Sequence, residues 1–349
     1  MNIGHFAPFA PSRCGLYEAA RDMCMADALS GHNALFFDTG VIDNNIQSEA
    51  KVNAIDERGN FKLITSSLAD LNNIDLIVAH TGINDNWLAR IDAPVIWVLH
   101  GRPLACFRPE VFGRNQSYSL SNTVGNWKRV KKLLYFWDEF TPYWENCIPK
   151  NKLHCLDFPP IDNYRFNSGG EKYKLKNPGK YNILICDSMR EDFCNYETVN
   201  NLIEVCKIHK GIKVHFFGSI DFPIANCWNI LLNKLKDLDS LGDIEGRITF
   251  LEQVYRSVDL VISPNRIITR TIGEAIMSNV PVLAHEKCKI AVYGADISNT
   301  KDFIEAFEIF KHDKDQNVDY TEVLQPIKEM LSLESYNKNI VELYKEVFK

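Results

Sequence analysis

The stretch "DLVISPNRIITRTIGEAIMSNVPVLAH", residues 259–285, passes from an apolar strand through a break at Pro264 into a helix, and out into a second apolar strand. That succession is the repeating unit of a doubly wound parallel sheet. Within the helix Ile268, Ile272, Ala275 and Ile276 recur at i, i+4, i+7 and i+8 and form its buried face, while Arg270 and Glu274 share another face. An ion pair in that order opposes the helix dipole and contributes only about 0.2–0.5 kcal/mol. Gly273 costs about 1 kcal/mol relative to alanine inside a helix, so either packed chain or a ligand approaches it closely. An arginine beside the free N–H groups of a helix start suits a diphosphate, and a carboxylate one turn later can accept both hydroxyls of a ribose diol. Spacing alone leaves this reading level with simple packing.

Similar units fill the chain. Strands are expected at "MNIGHFA", "NALFFDT", "DLIVAH", "PVIWVLH" and "KLLYFW", then at "YNILIC", "KVHFFG", "RITFL", "DLVIS" and "PVLAH". A helix is expected from Gly15 to Ser30, with Leu16, Ala19, Ala20, Met23 and Ala26 inward and Gly31 as its stop. The Pro-, Gly-, Asn- and Lys-rich run "FPPIDNYRFNSGGEKYKLKNPGKY" reads as a linker. The expected architecture is α/β: two Rossmann-like doubly wound domains, residues 1–168 and 169–349, facing a cleft that holds the site, with a helical tail from Val318 to Lys349.

At 349 residues the chain exceeds the size at which one core usually stops growing, roughly 250–300 residues. It has 46 % apolar and 24 % charged residues and no apolar run near the roughly 20 residues of a membrane-spanning helix. The start "MNIGHFAPFAPSRCG" has no secretory pattern, and ten cysteines without a CxxC pair fit reduced thiols, so a cytoplasmic location is expected. A net charge of −6 argues against a wholly polyanion-binding surface; the local patch "WKRVKK" at 127–132 is read as a solvated basic helix leading into a buried strand. The DxD string "DLD" at Asp237 to Asp239 reads as a solvated helix end, and no metal site and no cofactor are expected. No GxGxxG follows either domain's first strand, against a dehydrogenase.

The segment "YRSVDLVISPNRIITRTIGEAIMSNVPVLA" resembles the nucleotide-sugar segment of GT-B glycosyltransferases, in particular the large retaining family that includes sucrose-, mannosyl- and lipopolysaccharide-synthesising enzymes. The resemblance implies that Glu274 binds the donor ribose. The family's acidic residue eight positions earlier is Arg266 here. "YNILICDSMREDFCNYETVNNLIEV" resembles the loop that opens the donor domain, and Arg190 matches the basic residue that holds the diphosphate, with Ser188 beside it. "APFAPSRCGLYEAARDMCMADALSGHNALFFD" resembles the opening loop of the acceptor domain, where Gly15 is the matching glycine. On this basis the donor set is Gly15, Ser188, Arg190, Gly218, Arg266, Arg270, Thr271 and Glu274. A smaller resemblance runs to phage enzymes that glucosylate modified DNA bases, through "DLIVAHTGIN", "VIWVLHGRP", "DSMR", "VHFFG" and "ITRTIGEA".

The strand "PVIWVLHGRP" ends in His100, Gly101, Arg102 and Pro103, at the end of a strand where sites collect in such sheets. His100, Arg190 and Arg270 are the candidate catalytic residues, and His80, His100 and Arg102 the candidate acceptor contacts. The expected activity is metal-independent, retaining transfer of a sugar from a UDP- or GDP-sugar, ahead of an ADP-sugar, to a hydroxyl of a glycan or lipid-linked acceptor. Two alternatives stand beside it: a hydroxymethylated DNA base as acceptor, and nucleotide-sugar binding without turnover.

Overall fold

The computed structural model describes residues 1–8, 15–39, 68–80, 83, 88–100, 128–186, 195–218, 224, 226–246, 248–263 and 269–349. Along the chain run β1 (Asn2–Ala7), α1 (Gly15–Leu29), β2 (Asn33–Asp38), β3 (Leu76–Ala79), β4 (Val95–Leu99), β5 (Val130–Phe136), α2 (Thr141–Glu145) and β6 (Leu153–Leu156). They are followed by β7 (Tyr181–Ile185), α3 (Tyr196–Ile208), β8 (Ile212–Phe217), α4 (Asn226–Asp237), β9 (Leu241–Glu245), α5 (Leu251–Tyr255), β10 (Leu260–Ile262), α6 (Arg270–Met277) and β11 (Val282–His285). The chain ends with β12 (Tyr293–Ala295), α7 (Thr300–Asp315), α8 (Thr321–Leu331) and α9 (Leu333–Val347). Two compact units result: residues 1–164 with 330–349, and residues 165–329.

The first unit is built on a six-stranded sheet of order β2-β1-β3-β4-β5-β6, paired in parallel throughout. Its β3 and β4 are buried along their whole length, as expected of strands covered on both faces. Alternation divides the side chains. Ile3, Ala7, Val78, Ile96, Val98 and Leu134 join a core with α1 and α9, while Phe6, Ile77, Ala79, Trp97 and Leu133 join the core on the other face. The expected helix over 15–30 is observed over 15–29, with Gly31 at φ +85° as its stop.

Burial on α1 takes in the polar Asp27 on the apolar stripe and extends beyond it to Arg21 and Asp22. Arg21 donates to Asp22 Oδ1 at 2.7 Å and to Asp162 Oδ2 at 2.8 Å, and the Asp162 amide donates to Asp22 Oδ2 at 3.0 Å. The run read as a linker is therefore anchored, with Ile161, Asp162 and Phe166 buried. The unit boundary falls inside it, at 164/165, and the last twenty residues join the first unit where the sequence reading assigned them to the second. An amphipathic helix must bury its stripe somewhere, but the stripe does not say against which core. In the basic patch, Lys128 and Arg129 form a turn in place of the expected helix. Arg129 closes it by donating to the carbonyls of Leu88 (2.8 Å), Ala93 (3.1 Å) and Ile91.

The second unit has a parallel sheet of order β12-β11-β10-β7-β8-β9. Read from β9, this is the 3-2-1-4-5-6 order of a doubly wound sheet, which reverses direction between β7 and β10. Its core holds Ile183, Leu202, Val214, Trp228, Leu260, Leu283, Phe303 and Phe307. The strand expected at "RITFL" is instead "LGDIE", and Leu251 opens α5. The polar Asp243 is pinned at this edge: its carboxylate accepts from the amides of Lys176 and Asn177 at 2.8 and 2.9 Å, and its own amide donates to His215 Nδ1 at 3.0 Å. A Cβ on Gly242 would lie 2.6 Å from that same ring nitrogen. Gly242→Ala is therefore expected to destabilise the protein by about 1–3 kcal/mol, read from the urea midpoint, because the buried imidazole has no room to retreat. Among the described cysteines, Cys24, Cys147, Cys155, Cys186, Cys206 and Cys288 are outside any disulfide, whereas Cys227 is disulfide-bonded, where the sequence reading expected reduced thiols rather than a disulfide framework.

Candidate active site

In the first unit the site grows out of one diagonal of the sheet. His5 lies within β1, His80 follows β3 and His100 follows β4, each two residues further along the register than the last. Counting by twos from Ile3, Val78 and Ile96 puts all three on the face covered by α1 and α9. The rings stack with centroids 5.4 Å and 5.0 Å apart. His5 Nδ1 lies 3.1 Å from His80 Nε2, and His80 Nδ1 lies 2.7 Å from His100 Nε2. At the inner end His5 Nε2 meets Asp27 Oδ2 at 2.8 Å, and the Tyr344 hydroxyl donates to the same oxygen at 2.7 Å. His5, Asp27 and His80 are fully buried, and His100 is half-buried.

Hydrogen-bond bookkeeping couples the tautomers. Each contact in the row His5–His80–His100 needs one ring to donate and its neighbour to accept, so the tautomers of the three rings are set together. Burial, then the neighbouring His100 and His5 rings, hold His80 well below the ordinary histidine range, so it is neutral at pH 7. Burial and then Asp27 raise the Tyr344 phenol well above its usual value, which keeps it a donor. Beside His100, Phe136 lies at 5.7 Å and leads to Trp137 at 6.0 Å and Phe140 at 5.9 Å. Trp137 has φ +71°, a conformation that costs energy for a bulky residue and recurs near functional sites.

In the second unit Glu274 lies on α6, just beyond the sheet's reversal between β7 and β10. Its side chain is 6 % exposed and that of Arg270 is 11 % exposed. Arg270 Nε donates to Glu274 Oε1 at 2.7 Å, and the Tyr255 hydroxyl donates to Oε2 at 3.1 Å. Burial, then Cys186 and Glu274, raise the Tyr255 phenol far above its usual range. Thr269 occupies the N-cap position without a side-chain cap bond, its hydroxyl pairing with Thr271 Oγ1 at 2.7 Å.

No protein-family model matches the chain, and no curated protein matches it in sequence. Solved structures do. Sucrose-phosphate synthase from Thermosynechococcus elongatus superposes with a TM-score of 0.70 at 11 % identity, over 100 % of this chain and 99 % of that one. Anabaena Alr3699/HepE in complex with UDP and glucose gives 0.63 at 12 % identity over 99 % of each chain. An α-glucosyltransferase in complex with UDP and a 13-mer DNA containing an HMU base gives 0.63 at 14 % identity, over 100 % of this chain and 99 % of that one. The chain has the GT-B fold.

Within this GT-B chain the sequence-derived residues fall into two groups. His80 and His100 belong to one constellation in the first unit, joined by His5, Asp27 and Tyr344, which sequence reasoning missed. Arg270, Thr271 and Glu274 belong to another in the second unit, joined by the equally unforeseen Tyr255. Gly15 opens α1 and Gly218 closes β8, the latter's amide 3.4 Å from the Glu245 carbonyl. Among the described residues nothing lies within 4 Å of where a Gly15 Cβ would stand, so packing does not account for that glycine. Ser188, Arg190, Arg266 and Arg102 lie outside the described residues. So does Ile268, while its expected companions Ile272, Ala275 and Ile276 are buried. Asp237 ends α4, and Asp239 is 98 % exposed beside Lys213. No helix among the described residues is long and apolar enough to cross a membrane.

Proposed function

We propose that the protein is a glycosyltransferase that moves a sugar from a nucleoside-diphosphate donor, a UDP- or GDP-sugar, to a hydroxyl of a glycan or lipid-linked acceptor. The observation that carries this is the buried carboxylate of Glu274, clamped between Arg270 and Tyr255 beside the reversal of a doubly wound sheet. A carboxylate held at this place is suited to accept from the hydroxyls of a ribose diol. Arg270 donates Nε–H to Glu274 from the first turn of α6, a helix start whose amides suit a diphosphate. With Arg190, Ser188, Arg266 and the start of α6, Arg270 neutralises the charge left on the departing nucleotide, without a metal.

His100, which follows β4 at the end of the sheet where sites collect, positions the acceptor's hydroxyl. The departing phosphate takes the acceptor's proton, which retains the anomeric configuration. A product of inverted configuration would transfer that proton-accepting role to His100. The structural neighbours solved with UDP, and with UDP and glucose, support a uridine donor. One neighbour was solved with DNA, which keeps a nucleic-acid acceptor as the second reading. Acceptor affinity that falls steeply with salt would favour it.

Calorimetric titration with UDP, GDP, ADP and their common sugar conjugates tests the donor site. One nucleotide is expected to bind selectively and stabilise the fold, by about 2.7 kcal/mol at 100-fold excess over Kd. Glu274→Gln should weaken it roughly 10- to 100-fold, the value of charge-assisted hydrogen bonds worth about 1.5–3 kcal/mol. Binding without sugar transfer would reduce the protein to a nucleotide-sugar receptor; no binding by any of the three would remove the reading.

A further inference from the structure

The side chain of Glu274 does not itself fix the orientation of its carboxylate, because the last torsion of a glutamate is broad and lets the two oxygens turn. Hydrogen bonds from outside the side chain must do so. Arg270 Nε holds Oε1 at 2.7 Å from one turn earlier on α6, and the Tyr255 hydroxyl holds Oε2 at 3.1 Å from the end of α5. We propose that Tyr255 is a positioning residue that sets the plane of the Glu274 carboxylate, and so makes the donor site select ribonucleotides over nucleotides whose sugar lacks hydroxyls. This rests on the donor reading of Glu274 given above.

The two donors act differently. Arg270 and Glu274 share α6, so their bond ties two neighbours on one helix to each other. Tyr255 comes from a separate helix, and its ring is fully buried and meets Phe166 edge-on at 6.0 Å, so its bond ties the carboxylate to a second, packed element. The Cys186 thiol, directly after β7, is the phenol's other hydrogen-bonding neighbour. The hydroxyl therefore links the end of β7 to the helix that follows β10, the two strands between which the sheet reverses.

Packing does not account for the hydroxyl. A phenylalanine would fill the same space, and burying a hydroxyl costs energy unless it is bonded. The phenol stays protonated across the neutral range, so the donor to Oε2 is always in place. A site built to hydrogen-bond a substrate hydroxyl rejects an analogue without it, because the site's polar groups are then left unpaired. That discrimination needs an acceptor aimed at the hydroxyl, which is what the second anchor on Glu274 supplies.

The test is a cycle between one hydroxyl of the protein and two of the ligand. Wild type and Tyr255→Phe are titrated calorimetrically with UDP and GDP, and with the dideoxy analogue of each, which lacks both ribose hydroxyls. In the wild type the ribonucleotide that binds is expected to do so at least about 10-fold more tightly than its analogue. In Tyr255→Phe its affinity should fall about 5- to 10-fold, within the coupling measured between residues in contact, while that of the analogue changes by less than about 2-fold. A merely structural loss would weaken both ligands alike.

Equal losses for ribonucleotide and analogue, or none for either, would overturn the role of Tyr255 and leave the donor reading standing. Binding of neither UDP nor GDP to the wild type would overturn the donor reading and this role with it. Should Tyr255→Phe not fold, wild-type protein labelled at Tyr255 Cζ alone gives the answer by NMR. That resonance is expected to shift at saturation with the ribonucleotide and to stay in place with the analogue; an equal shift with both overturns the proposal.

Discussion

Deletion of residues 333–349 is expected to abolish the cooperative unfolding of the first unit. Helix α9 places Leu333, Tyr336, Ile340, Leu343, Tyr344 and Val347 in the core that α1 and the first sheet share. Deletion removes the ordering entropy of α9 along with the helix. The entropy spent on ordering α1 and the sheet remains, now against rehydrated apolar surface. Losing one large apolar side chain from a core costs about 2–5 kcal/mol, so six at the low end approach about 12 kcal/mol, against a typical domain stability of about 5–15 kcal/mol. The Tyr344 hydroxyl also leaves Asp27. Calorimetry of the deleted chain should retain the second unit's transition, since that unit's core contains no residue of α9. Two transitions of unchanged enthalpy would make α9 an appendage instead. Leu343→Ala alone should cost about 2–5 kcal/mol.

The same helix marks the limit of what the sequence discloses. Its amphipathic stripe is local and legible, whereas its destination depends on contacts hundreds of positions away: Tyr344 and Asp27 are 317 residues apart. Elements fixed by local periodicity were legible. The helix from Gly15 ends within one residue of expectation; β1 to β4, β7, β10 and β11 fall in the quoted apolar runs, and β5 and β8 begin two residues and one residue before theirs. The edge strands β6 ("LHCL") and β12 ("YGA") lack the continuous buried apolar run that marks β3, β10 and β11 at the same lengths. At β9 the polar "GDIE" concealed a strand whose Asp243 is satisfied by amides 66 and 67 residues earlier in the chain.

The candidate site divides in the same way. His100 and His80 announce themselves as polar residues closing apolar strands, but His5 lies inside β1 as one polar residue among apolar neighbours. Its significance comes from His80, 75 residues later, and from Asp27, which lies four residues beyond Met23 on the buried stripe of α1 and which the sequence reading passed over. For Arg270 and Glu274 the i,i+4 spacing disclosed the pair and not its burial, and burial decides its energy.

Glu274→Ala is accordingly expected to destabilise the second unit by about 3–5 kcal/mol, the cost of leaving one member of a buried ion pair without its partner. The substitution takes the carboxylate from Arg270 Nε and from the Tyr255 hydroxyl together. Both donors are held in place, one by a helix and one by full burial, so neither can simply turn to water. Glu274→Gln retains an oxygen for one of the donors and should cost less. Replacing the pair as Arg270→Met with Glu274→Leu should recover most of the stability, because apolar side chains of similar volume avoid the desolvation of two charges. Urea unfolding of the single and double variants separates these terms as a coupling energy. A loss below about 1 kcal/mol for Glu274→Ala would restore the sequence-level estimate of a solvated pair worth tenths of a kcal/mol. A loss of the expected size together with recovery in the double variant would mean that an apolar pair serves stability equally well, so that the charged pair is retained for what the carboxylate binds.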